Sequence, residues 1–119
     1  MILLANPNHN DIKADVGFAW NLIDASTTAV TAVSLITKAQ NDVKDLTGTT
    51  TGASQDRAIR NLTDAYMCQN ALMKLDPNKE YQTVLEGARD KFLELADNAL
   101  RLKGKTIDGI RFKFSQVNP

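Results

Sequence analysis

Apolar residues stand at Tyr81, Val84, Leu85, Ala88, Phe92, Leu95, Ala99 and Leu102, mostly three or four positions apart. At about 100° per residue they share one side of a helix, so the pattern predicts an amphipathic helix that buries this face. Asp76 is its predicted cap, with Pro77 at the first helical position, where a missing N–H costs nothing. Gly104 is its predicted end.

Upstream, a second helix is predicted over about Ser54 to Leu75. Its apolar side gathers Leu62, Ala65, Tyr66, Leu72 and Met73, with the polar Gln69 among them, which a core hydrogen bond would explain. The Gly- and Thr-rich stretch Thr47 to Ser54 predicts a loop before it, with Gly48 ending an earlier helix. That earlier helix starts near Asp11, behind Asn10 as cap, with Asp11 and Asp15 suited to its positive end.

The first helical stretch has two faces. Ile12, Val16, Ala19, Trp20, Ile23 and Val30 cluster on a wheel, while Ala32, Leu35, Ile36, Ala39, Val43 and Leu46 cluster nearly opposite. The change falls at Ser26, Thr27 and Thr28. These side chains can divert backbone hydrogen bonds and break the helix. The alternative, which the pattern slightly favours, is one long bent helix of about 35 residues, spanning about 50 Å. Its N-terminal half would then overhang the other helices and need a partner, within the chain or outside it.

Beyond Gly104, Ile110, Phe112 and Phe114 alternate with Arg111 and Lys113, and Asp108-Gly109 is a favoured hairpin turn. A β-hairpin over Lys105 to Phe114 is expected, against a short helix carrying Ile107, Ile110, Phe114 and Val117. The fold predicted is mainly α: an antiparallel three- to four-helix bundle with a short C-terminal tail or β-hairpin, in one domain spanning residues 1–119.

Composition narrows the possibilities without choosing a chemistry. Fourteen basic and fourteen acidic residues cancel, unlike the positive field of a dedicated nucleic-acid binder. The balance is uneven, because Arg101, Lys103, Lys105, Arg111 and Lys113 oppose only Asp108 after Leu100. One cysteine, Cys68, cannot form an internal disulfide, and the interrupted run at Met1 to Ala5 is too short for a signal peptide. No apolar stretch approaches the roughly 20 residues of a membrane span. A cytoplasmic protein without membrane attachment is the expectation.

Candidate sites are weak as chemistry and stronger as surfaces. His9 has no second imidazole or thiol at ligand spacing, and nothing places a base beside Cys68. Gly48 to Gly52 lacks the Lys and Ser or Thr that follow a phosphate-binding loop. Glu86, Asp90, Glu94 and Asp97 fall within about 80° on the third helix, facing away from its apolar stripe. Without Glu-x-x-His pairs, the stripe suits a solvated face or an acidic dock better than a metal. Phe18 projects away from Val16, Trp20 and Ile23 and, with Leu22, could widen an apolar surface for association unless another segment covers it.

These features lead to the expectation of a non-enzymatic adaptor, inhibitor or assembly subunit, without cofactor or metal, that binds another protein or itself. Phe18, Trp20 and Leu22 would supply affinity, and Glu86, Asp90, Glu94 and Asp97 orientation. The alternative is a nucleic-acid-binding accessory protein using Arg101, Lys103, Lys105, Arg111 and Lys113, with Phe112 and Phe114 to stack on bases. The neutral net charge makes nucleic acid the weaker expectation.

Overall fold

The computed structural model describes residues 16–100. A 3-10 turn, Gly17–Ala19, leads into α1, Trp20–Ser26, followed by α2, Ala29–Thr47, α3, Ala53–Leu75, and α4, Lys79–Leu100. The described residues are thus mainly helical and form a helical bundle. His9, the cap at Asn10, the stop at Gly104, the C-terminal hairpin and the basic set from Arg101 to Lys113 lie outside them.

Short connections set the topology. A helix of 23 residues is about 35 Å long, and the three residues between α3 and α4 reach about 11 Å at most. α4 therefore runs back antiparallel along α3, with which it makes the most extensive contact in the fold. The five-residue link between α2 and α3 imposes the same reversal. α1 and α2 both pack on α3 as well, whereas α2 and α4 share no extensive contact. α3 is consequently the hub.

That position explains its burial. Every residue from Leu62 to Gln69 is buried, eight in succession. More than two turns of helix are therefore enclosed on all sides. The shared core gathers Val16, Ala19 and Ile23 before the break, Ala39 and Val43 from α2, Leu62, Ala65 and Met67 from α3, and Leu85, Phe92, Leu93 and Ala96 from α4.

The predicted long first helix is replaced by two. Thr27 is extended, and the Thr28 side chain accepts a hydrogen bond from the Thr31 N–H at 3.1 Å, capping a new helix. Ser26 Oγ donates to the Ile23 carbonyl at 3.3 Å, and Asn70 Nδ2 of α3 holds the Ser26 carbonyl at 2.9 Å. The hydroxyls thus divert the ladder, and a side chain from the hub fixes the break. A second interruption precedes it, since Gly17 has a left-handed backbone (φ 52°) that suits glycine. The break also resets the helical phase, so Val30, grouped with Trp20 and Ile23 by sequence, is 80% exposed.

Two further expectations shift. Gly48 ends α2 as predicted, left-handed and donating its N–H to the Lys44 carbonyl at 2.7 Å. Asp76 does not cap α4, however. It is itself left-handed (φ 42°) and closes α3, while Asn78 Oδ1 accepts from the Tyr81 N–H at 3.1 Å and caps α4 two residues later. Pro77 lies between the helices. Along α4, Leu95 is 39% exposed, and Leu93 and Ala96 are buried instead. The buried side is rotated because α4 meets the broad side of the hub rather than a narrow seam.

Candidate binding surface

Phe18 sits in the 3-10 turn, where Gly17 bends the chain, and is 47% exposed. Its ring tilts by 58° against Tyr81 of α4, with centroids 4.8 Å apart. This spacing suits an aromatic pair. The first turn of α4 thus supports Phe18 on one side and leaves the other open. Trp20 and Leu22 are partly buried and pack against the core. Of the three apolar candidates, Phe18 alone is an exposed large hydrophobic.

The acidic stripe survives in part. Glu86 and Glu94 are exposed, and Asp90 is partly exposed, with Arg89 Nε at 3.1 Å from its Oδ1. Asp97 departs from the expected solvated face, being buried with 6% exposure. The packed side of α4 is wide enough to enclose it. Nor does the stripe join Phe18. Tyr81, which carries Phe18, lies about 180° around α4 from the centre of the acidic positions. The two sets form separate surfaces.

Sequence reasoning missed a polar cluster between α2 and the hub. The Tyr66 hydroxyl donates to Asp42 Oδ2, and both residues are buried. Lys38 Nζ lies 4.7 Å from the centroid of the Tyr66 ring, within cation–π reach. Burial foremost, then the hydrogen bond to Asp42 and its negative charge, hold the Tyr66 hydroxyl far above its ordinary ionisation range. A phenol so disposed is a fixed donor, fitted to clamp helices. On the wheel Asp42 falls about 20° beyond Leu35, at the border of the apolar stripe, and that closeness was the available signal.

Gln69 does find a hydrogen bond. Its Oε1 accepts from Arg89 Nη1 of α4 at 2.8 Å, so the polar residue in the hub stitches α3 to α4. Its Nε2 is buried without a hydrogen-bond partner among the described residues. Cys68 is fully buried. In the Gly48 to Gly52 loop, Thr47 Oγ1 donates to the carbonyls of Val43 and Thr49, and Thr49 Oγ1 accepts from the Thr51 N–H at 3.0 Å, so these hydroxyls hold the turn. Among the described residues no group of three or more His, Cys, Asp or Glu is arranged to hold a metal ion. No helix among them is long and apolar enough to cross a membrane.

No protein-family model, curated protein or solved structure matches this chain.

Proposed function

We propose that the protein is a non-enzymatic binding module, an adaptor, inhibitor or assembly subunit of the cytoplasm, that receives another protein or a second copy at an apolar surface centred on Phe18. The observation that carries the reading is the half-exposed Phe18 ring, supported from behind by Tyr81. Holding an aromatic side chain in one orientation lowers the entropy lost when a partner covers it, and aromatics dominate the energetic centres of interfaces. Leu22 and Trp20, close to Phe18 in sequence, are partly buried and pack against the core. The alternative use of Arg101, Lys103, Lys105, Arg111 and Lys113 on nucleic acid lies outside the described residues.

Phe18→Asp tests the reading. A charge buried unpaired at an interface is strongly unfavourable, so capture of a partner from the native source, or self-association seen by light scattering, should be lost. The unfolding midpoint should move less, because the ring is only half covered in the folded chain. Undiminished association in the variant would remove the surface from consideration.

A further inference from the structure

Side chains hold the break between α1 and α2 where a helix would use its own ladder. No backbone hydrogen bond among the described residues runs from Ala29, Val30 or Thr31 back to α1. The Thr28 hydroxyl takes the Thr31 N–H instead, and the Asn70 amide takes the Ser26 carbonyl. Thr27 Oγ1 is buried without a hydrogen-bond partner among the described residues. Inside its helices the chain treats threonine differently, since Thr47, Thr63 and Thr83 each donate Oγ1 to the carbonyl four residues back. A continuous helix would offer Thr27 the Ile23 carbonyl in the same way.

Straightening the break also turns α1 around. At about 100° per residue, the buried Ala19 and Ile23 then stand nearly opposite the buried Ile36, Ala39 and Val43. One hub cannot cover both ends of such a helix. With α2 kept on its own α3, the 3-10 turn and α1 point away and reach the matching site on another copy. Val30 is 80% exposed in the broken form. In the straight form it falls within about 20° of Ala19 and Ile23 and joins the side that the other copy covers.

We propose that the chain forms a domain-swapped dimer, in which Trp20 to Thr47 is one helix of about 42 Å. Each copy's 3-10 turn and α1 then pack on the other copy's α4 and α3, as they pack on their own in the monomer. The occupant is a second copy because the site already fits this segment, so the exchange reuses the monomer's contacts and changes only the break. Phe18 travels with the exchanged turn to the other copy's Tyr81. The swap therefore stands apart from association at the Phe18 surface.

The test refolds the full chain from denaturant at about 1 mM, where mass action favours association. Size-exclusion chromatography with light scattering should resolve a monomer and a dimer that persists on dilution, because separation requires α1 to leave the other copy's core. Ala29→Pro locks the break. Thr28 already has the extended backbone that a following proline requires (ψ 171°), and Ala29 is exposed at the first helical position. A helix running through that proline is disrupted. This variant should keep the monomer's melting temperature and lose the dimer. Asn70→Ala and Thr28→Ala each remove one hydrogen bond that only the broken form makes. Each should raise the dimerisation constant about a hundredfold, about tenfold at each of two breaks. Phe18→Asp should leave the persistent dimer in place. A persistent dimer retained by Ala29→Pro, or its absence from wild type, Asn70→Ala and Thr28→Ala alike, would overturn the swap. Association lost in Phe18→Asp but kept in Ala29→Pro would belong to the Phe18 surface instead, so failure of the swap is distinguishable from failure of that reading.

Discussion

α3 and α4 have 23 and 22 residues and lie against each other along their length, yet they solve different problems. α4 has one packed side and one wet side. α3 is enclosed around its middle, with Thr63, Asp64, Tyr66 and Gln69 buried beside Leu62, Ala65 and Met67. An amphipathic helix can send its polar groups to water, whereas an enclosed one must pair them internally. Thr63 Oγ1 accordingly donates to the Ile59 carbonyl at 2.7 Å, Tyr66 to Asp42 and Arg89 to Gln69. Polar groups of α3 thus join it to both of its long neighbours.

The sharpest way to break that comparison is along α4. Phe92→Ala should cost about 3–5 kcal/mol in denaturant unfolding, since the ring is fully buried. Leu95→Ala, three residues on but partly in water, should cost less than about 1 kcal/mol. Equal losses would mean that α4 is covered on both sides, erasing its difference from α3.

The next effect belongs to the hub. Tyr66→Phe leaves the buried Asp42 carboxylate without its phenol donor and should cost about 1–3 kcal/mol at neutral pH. The pH profile adds a signature. Because folding raises the Tyr66 ionisation above the ordinary tyrosine value of about 10, the stabilisation is complete below that pH. It is lost as pH climbs from there toward the raised value. Wild type should therefore lose stability more steeply above about pH 10 than Tyr66→Phe, as measured by unfolding midpoints. Parallel slopes would show that the hydroxyl is not held protonated inside the fold.

The smallest expected effect lies at the break. Thr28→Ala should cost about 1 kcal/mol by removing the cap of α2, with helical content by circular dichroism nearly unchanged. A neutral substitution would mean that Asn70 alone holds the junction.

The same contrast explains what could be read from sequence. Helix order, the start of α3 within one residue, the stop at Gly48 and the inward placement of Leu62, Leu85 and Phe92 follow from periodicity and capping chemistry. Leu95, Asp97 and Val30 were misplaced because a wheel assumes one narrow buried side and an unbroken phase. α4 faces a wide hub, and the Thr27-Thr28 break discards the phase. Asp76 looked like a cap because the sequence Asp-Pro is a good helix start, but the reversal between α3 and α4 needs a left-handed residue there. For the candidate surface, the outward Phe18 was legible, while its support by Tyr81 was not. A contact between residues far apart in sequence leaves no trace in local pattern.

The three-residue connector between α3 and α4 also sets a sequence of events in time. Closing so short a loop costs little chain entropy, and contacts between helices near in sequence form fastest. The α3–α4 hairpin is thus the natural nucleus, while α2 joins across a longer link and with less contact. Native-state hydrogen exchange should show α1 and α2 opening together at lower free energy than the hairpin. In that partly open state Asp42 would leave Tyr66 while Gln69 stays with Arg89.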